Sequence, residues 1–126
     1  MAIVQVKNAK RRASTGAYSD GLLVDGWLYV SGQGPIDLET GKTVSGSIEE
    51  EVRLTLQNVG DVLQAGGCSF ADVVRCTCHL ADIADFDRFN AVYSEYFPNV
   101  KPTRTTVQSV LGGGIKVEID AIACVP

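Results

Sequence analysis

The sequence lacks an apolar run long enough to cross a membrane and lacks the N-terminal pattern of a secretory signal. Its 126 residues are 45% hydrophobic and 21% charged, yet the longest apolar stretch stays well below the ~18 residues that a spanning helix needs. No positive cluster leads into an apolar segment and a cleavage site. The composition excludes disordered, collagenous and low-complexity classes. We therefore expect one soluble globular domain over residues 1–126, located in the cytoplasm and making no membrane contact.

Positive charge is also scarce, with 11 Lys and Arg against 15 Asp and Glu and a net charge of -4. A nucleic-acid-binding domain needs a surplus of positive charge. The basic residues that do cluster lie near the N-terminus, at Lys7, Lys10, Arg11 and Arg12. A short basic arm of this kind is usually a solvated chain end. The charge balance therefore argues against nucleic acid as a partner.

Cysteine and histidine are few, at four and one residues. Four cysteines are too sparse for a disulfide scaffold in a chain of this length, so free thiols are expected. The run Cys76-Thr77-Cys78-His79 resembles a set of metal ligands, but on a strand Cys78 and His79 point to opposite faces and no second ligand pair follows. A zinc deaminase needs a His-x-Glu and a later Pro-Cys-x-x-Cys, and both are missing. No metal is expected, and no Ser or Cys is placed to form a triad with His79.

The first half of the chain carries a hairpin signal. Residues 22–24 and 27–30 are apolar and β-prone, and Asp25-Gly26 between them supplies the positive φ angles of a type I′ turn. Glycines then interrupt any regular period from residue 31 to residue 46, which predicts a surface loop.

Two helices are predicted from apolar residues at helical spacing. The first begins with a capping box at Ser47 and Glu50 and ends at Gly66-Gly67. The second begins near Asp82 or Asp85 and ends before Pro98. Their apolar stripes are Val52, Leu56, Val59 and Leu63 in the first helix and Phe86, Phe89, Tyr93 and Tyr96 in the second.

Alternation predicts further strands at 73–80, 103–110 and 115–125. The last two flank Gly112-Gly113-Gly114 and are expected to form a closing hairpin. With a weak strand at 3–6, the order β-β-β-α-β-α-β-β predicts an α+β fold, in which two helices pack on one face of a mixed sheet. The last strand is apolar on both faces in its second half. The face without helices should therefore meet another copy of the chain, which predicts a homo-oligomer.

Arg104 and Glu118 are charged residues among the β-prone and apolar residues of the last two strands. Charges in such strands need partners, and the two could simply pair with each other. If the hairpin is centred near Gly113, however, they lie about three positions out of register, or roughly 10 Å apart at ~3.3 Å per residue. That gap could hold a small carboxylate bound by the arginine fork, while the glutamate orients or deprotonates a water.

Four other residues could line such a pocket. Tyr18 lies in a glycine-flanked loop, Ser31-Gly32 offers a hydroxyl and an accessible backbone at the end of the hairpin, and Asn90 interrupts the apolar pattern of the second helix. Each also has an ordinary structural explanation, as an exposed loop tyrosine, a turn or a solvated helical asparagine.

Together these motifs resemble the RidA/YjgF/L-PSP family, the reactive intermediate imine deaminases, over nearly the whole chain. The motifs are Gly16-Ala17-Tyr18, Val30-Ser31-Gly32-Gln33, Phe89-Asn90-Ala91-Val92-Tyr93, Pro102-Thr103-Arg104-Thr105-Thr106-Val107 and Val117-Glu118-Ile119-Asp120-Ala121-Ile122-Ala123. The resemblance implies a chorismate-mutase-like fold, assembled as a homotrimer with active sites in the clefts between subunits. It implies no metal and no organic cofactor.

The resemblance also implies an activity, the hydrolysis of 2-imino acids and their enamine forms to 2-oxo acids and ammonia. Arg104 would bind the substrate carboxylate and Glu118 would position the attacking water. The implied substrate-binding residues are Tyr18, Ser31, Gly32, Asn90 and Thr106. Thr106 stands where archetypal members carry a cysteine, and Gly112–Gly114 replaces a common Leu-Pro, so both changes could alter the range of substrates.

Three alternatives remain open at this point. One is a non-catalytic trimer that binds small carboxylates, and another is a deaminase of aminomuconate-type ring-cleavage products. The third is an endoribonuclease or translation inhibitor, which the acidic charge balance opposes.

Overall fold

The computed structural model describes residues 2–12 and 16–126. These residues form an α+β structure with six strands and two α-helices, in the predicted order. The strands are β1 (Ile3–Val6), β2 (Gly21–Val24), β3 (Trp27–Gln33), β4 (Val73–Leu80), β5 (Thr103–Gln108) and β6 (Val117–Cys124), and the helices are α1 (Ile48–Ala65) and α2 (Phe86–Tyr96).

The six strands form one mixed sheet in the order β1-β2-β3-β6-β4-β5. β4 and β5 are parallel, and the other neighbouring pairs are antiparallel. The predicted hairpin of β5 with β6 is therefore wrong, because β4 separates the two strands. Burial explains the difference: β6 contributes Val117, Ile119, Ala121 and Ala123 to the core and lies in the middle of the sheet, whereas the polar β5 lies at its edge. An edge strand needs less apolar surface because only one of its sides is paired.

The β2–β3 hairpin is confirmed. Asp25 and Gly26 have φ angles of 52° and 82°, as a type I′ turn requires. The strand extends further than expected, through Gln33, and its pairing with β6 shifts register between Val30 and Gln33. Ser31 and Gly32 thus lie at a β-bulge, and bulges redirect side chains next to functional sites.

Both predicted helix boundaries of α1 are confirmed. The Ser47 hydroxyl accepts a hydrogen bond from the Glu50 amide at 3.1 Å, and the Glu50 carboxylate accepts one from the Ser47 amide at 3.0 Å. Gly67 has a φ of 83°, the left-handed conformation that follows a helix end. The predicted apolar stripe lies within the hydrophobic core.

Both helices pack on the same face of the sheet, and this side is called the helix face below. Cys76, Cys78 and Leu80 of β4 are fully buried beneath them. At the start of β4 the alternation is reversed, with Val73 buried and Val74 exposed, because the pairing with β6 shifts there. The other side, the open face, carries the half-exposed Trp27 and Tyr29. No helix within residues 2–12 and 16–126 is long and apolar enough to cross a bilayer.

Part of the basic N-terminal arm forms ion pairs with the body of the protein. Arg11 lies 2.8 Å from the fully buried carboxylate of Asp20, which also accepts a hydrogen bond from the Asn8 amide at 2.8 Å. Lys10 contacts Asp61 at 3.2 Å. These two side chains have internal carboxylate partners, so the arm is not simply a solvated chain end.

Candidate functional site

Arg104 lies on the edge strand β5 and points to the helix face. Its register partner on β4 is Cys76, which is fully buried in the core. The guanidinium carbon lies 4.8 Å from the ring centre of Tyr93 and 5.4 Å from that of Phe86, both on α2. Aromatic faces attract a guanidinium through the ring quadrupole. The aromatic stripe of α2 therefore both closes the core and positions this arginine.

Asn90 fixes the guanidinium from the same helix. Nη1 of Arg104 donates a hydrogen bond to Oδ1 of Asn90 at 2.7 Å. Within the described ranges, no carboxylate forms an ion pair with Arg104. An amide and aromatic rings orient the cation without neutralising it. Arg104 thus retains the full charge and the remaining donors with which a guanidinium binds a carboxylate.

The groups around Arg104 are neutral. Burial raises the pKa of the Cys76 and Cys78 thiols and of the Tyr93 hydroxyl, and the neighbouring Arg104 only partly opposes the rise. Thr106 lies two residues beyond Arg104 on the same face of β5. Its hydroxyl oxygen is buried and has no hydrogen-bond partner among the residues that the structure describes. Buried hydroxyls are rarely left unpaired, so this group marks the surroundings of Arg104 as a place for a polar ligand.

Glu118 lies on the open face, because its neighbours Val117 and Ile119 on β6 both point into the core. Its carboxylate is directed at the bulge of β3. A Cβ atom on Gly32 would lie only 2.5 Å from Oε2 of Glu118 and 3.0 Å from its carboxyl carbon. Glycine at this position therefore makes room for the carboxylate.

Ser31 and Tyr18 adjoin the same bulge. The Ser31 hydroxyl donates a hydrogen bond to the carbonyl oxygen of Ser19 at 2.6 Å. Both residues line a groove of about 350 Å³, together with Leu22 and Tyr29. The groove is mainly apolar, and Tyr18 is 53% exposed at its margin.

The seven candidate residues thus form two half-sites rather than one site. The Arg104 half, on the helix face, also contains Asn90 and Thr106, whereas the Glu118 half, on the open face, also contains Gly32, Ser31 and Tyr18. Within one chain Arg104 and Glu118 therefore do not pair with each other, which was the alternative left open, and the expected gap of roughly 10 Å between adjacent strands is wrong. The register argument failed because β4 lies between the two strands and the two side chains point in opposite directions.

His79 has a serine partner that the sequence reading did not anticipate. Its Nδ1 lies 2.8 Å from the hydroxyl oxygen of Ser109, immediately after β5. The premise that no serine is placed opposite His79 is therefore wrong, whereas the expectation that His79 forms no triad stays a prediction. As the alternation predicts, His79 and Cys78 lie on opposite faces of the sheet. Local sequence carries no signal for the contact with Ser109, because the contact depends on the parallel pairing of β4 with β5.

Comparisons with known proteins agree with this architecture. The family model described as Endoribonuclease L-PSP matches residues 8–125. The human protein named 2-iminobutanoate/2-iminopropanoate deaminase is 41% identical over 94% of this chain and 87% of its own length. A crystal structure from Thermotoga maritima has a TM-score of 0.90 and 40% identity, covering 96% of both chains. E. coli TdcF, solved with bound serine, has a TM-score of 0.88 and 30% identity, covering 96% of this chain and 98% of its own.

These matches extend over nearly the full chain, and the solved structures share the six-stranded sheet with two helices on one side. The resemblance predicted from the motifs around Tyr18, Arg104 and Glu118 is confirmed, and the chain belongs to the RidA/YjgF family, whose family model is called Endoribonuclease L-PSP.

Proposed function

We propose that this protein hydrolyses 2-imino acids and their enamine tautomers to 2-oxo acids and ammonia. The observation that carries the proposal is the Arg104 guanidinium, held by Asn90 and by aromatic rings and not neutralised by a carboxylate of the described residues. Such a group fits a small carboxylate ligand. The human relative is named for this activity, and TdcF was solved with a small amino acid bound.

A complete site then requires two copies of the chain. Arg104 and Glu118 point away from each other within one chain, so the Arg104 half of one copy must meet the Glu118 half of another. The half-exposed aromatic residues of the open face, Trp27 and Tyr29, provide apolar surface for such contacts. The resemblance that the sequence carries favours a homotrimer as the assembly.

In the proposed reaction Arg104 binds the substrate carboxylate through two parallel hydrogen bonds, which fixes the imine carbon relative to Glu118. The Glu118 carboxylate takes a proton from a water, and the water oxygen bonds to the imine carbon. Gly32 leaves room for this carboxylate and the bound water. The groove beside Tyr18 and Ser31 accepts the substrate side chain.

The proposal is tested with imino acids generated in solution by an amino-acid oxidase. We expect the protein to accelerate the appearance of 2-oxo acid, measured as its semicarbazone or by a coupled dehydrogenase, for small, aliphatic and aromatic side chains in turn. Binding of a 2-oxo acid without any acceleration would instead indicate a non-catalytic carboxylate-binding protein. Cleavage of RNA by the same preparation, lost in Arg104→Ala, would favour the endoribonuclease alternative.

Gly32→Ala is expected to lower kcat while the protein stays folded. The new methyl group would displace the Glu118 carboxylate, and a misplacement of about 1 Å costs on the order of 10²-fold in rate. The measurement is kcat together with the melting temperature. In a Glu118→Gln background the same change should have little further effect. If the fold-losses in kcat of the two single variants multiplied in the double variant, Gly32 would not act through Glu118.

Thr106→Val is expected to raise KM without destabilising the protein. Valine has nearly the shape of threonine but lacks the hydroxyl that has no partner in the described residues. A hydrogen bond to a charged group contributes about 1.5–3 kcal/mol, so losing one to the substrate carboxylate raises KM on the order of tenfold or more. Thr106→Ser retains the hydroxyl and should keep KM near that of the wild type. A lower melting temperature with unchanged KM would show a purely structural role.

A further inference from the structure

We propose that His79 is a second proton-transfer group of the site, acting beside Glu118. The proposal rests on the imine hydrolysis proposed above and adds a residue to it. His79 is the only histidine of the chain. It lies on β4 directly opposite Glu118 of β6 in the antiparallel register, and both side chains point to the open face. Side chains in such a pair have Cβ atoms about 4.5–5.5 Å apart.

Ser109 sets the orientation of the ring. In the tautomer that carries its proton on Nδ1, His79 donates a hydrogen bond to the Ser109 hydroxyl oxygen at 2.8 Å. The lone pair of Nε2 is then available as a proton acceptor. The Glu118 carboxylate is directed at Gly32 on the opposite side of β6. The imidazole and the carboxylate thus lie beside different neighbours, Ser109 and Gly32, although their residues are directly opposite each other on β4 and β6.

A second proton acceptor serves the step in which the C–N bond breaks, because Glu118 acts as the proton donor in that step. When the substrate is the protonated imine, Glu118 takes one proton from the water, the oxygen bonds to carbon, and the C=N electron pair moves to nitrogen. The protonated Glu118 then gives its proton to that nitrogen, the C–N bond breaks, and ammonia leaves with the electron pair. The hydroxyl on carbon must lose its proton as the carbonyl forms. Nε2 of His79 takes that proton and releases it to solvent, so protons and charge balance.

The other charged groups facing His79 are consistent with this role. Asp120 flanks Glu118 on the open face of β6, and its carboxylate accepts a hydrogen bond from the Thr77 amide at 3.2 Å. Arg75 on β4 donates to the Thr105 hydroxyl at 2.8 Å. β5 presents the uncharged Thr103, Thr105 and Val107 to this face. Glu118 is thus the ionisable group opposite His79 in register.

The test compares wild type with His79→Gln, which keeps a hydrogen-bonding side chain for Ser109 but cannot take up a proton. We expect kcat to fall on the order of 10²-fold, as loss of a general base does, with KM changed less than about twofold. His79→Ala should regain activity when free imidazole is added, because imidazole can replace the missing base. Imidazole could not restore activity to a variant that is inactive because it is misfolded. Ser109→Ala should lower kcat by less than His79→Gln, since it frees the ring without removing it.

Wild-type kcat in His79→Gln, or no response of His79→Ala to imidazole, would overturn the role of His79 while leaving imine hydrolysis intact. Ser109→Ala less active than His79→Gln would also overturn it, since Ser109 would then be the reacting group. Failure of the proposed function has a different signature, because the wild-type protein itself would then release no 2-oxo acid.

Discussion

Arg104→Ala is expected to lower kcat/KM for 2-imino acids on the order of 10²- to 10⁴-fold, since two hydrogen bonds to a carboxylate contribute about 1.5–3 kcal/mol each. The loss should be large because, among the residues that the structure describes, the Arg104 half contains no second cation. Asn90 and Thr106 are neutral, and the thiols beneath them stay protonated because burial raises their pKa.

Arg104→Lys is the matched control for charge. Lysine keeps the positive charge but lacks the planar fork and stacks less well on the rings of Tyr93 and Phe86. We expect activity between those of Arg104→Ala and the wild type. Steady-state kinetics provide the measurement, with the melting temperature and the oligomeric size as controls. If Arg104→Ala dissociated or unfolded, the arginine would instead be a structural residue of an interface.

The second large effect concerns Glu118→Gln, which is expected to lower kcat on the order of 10²- to 10³-fold with little change in KM. Glutamine has the same shape but cannot accept a proton from water. The carboxamide still fits over Gly32, so binding of the substrate should persist. A rise in KM with unchanged kcat would contradict water activation.

Because the two half-sites lie on opposite faces, two inactive variants should complement each other. Arg104→Ala and Glu118→Gln chains with different tags can be co-expressed, and the mixed oligomers isolated by both tags in succession. If the oligomer is the proposed trimer, every mixed trimer contains one contact in three that joins two intact halves, which predicts about a third of the wild-type activity. Mixed oligomers no more active than their parents would place the complete site within one chain.

Much of the local structure follows from the sequence. Asp25-Gly26 specifies a turn because it supplies two positive φ angles, and Ser47 with Glu50 specifies a helix start because the two residues satisfy each other's free amides. Each signal spans only a few residues. Arg104 and Glu118 could likewise be selected from the sequence, because a charged side chain in a strand of apolar residues needs a partner.

Strand adjacency could not be predicted in the same way. Gly112–Gly114 suggested a tight turn, but β6 is paired with β3 and β4, which lie far away along the chain. Which strand inserts between two others depends on the burial of the whole sheet and not on the turn between neighbours. The contact of His79 with Ser109 and the bulge that places Gly32 under Glu118 could not be predicted either, because both depend on which strands are neighbours in the sheet. The candidate residues could therefore be selected from the sequence, but the way the fold groups them could not be predicted.

The opposite orientation of the two halves has a consequence for symmetry. A contact that joins the Arg104 half of one copy to the Glu118 half of the next uses two different surfaces, so it is heterologous. Repeated contacts of this type either close into a ring or continue as a filament. A ring uses every half and contains as many complete sites as subunits, whereas a filament leaves one unmatched half at each end. Ring closure would thus make the number of active sites equal to the number of chains.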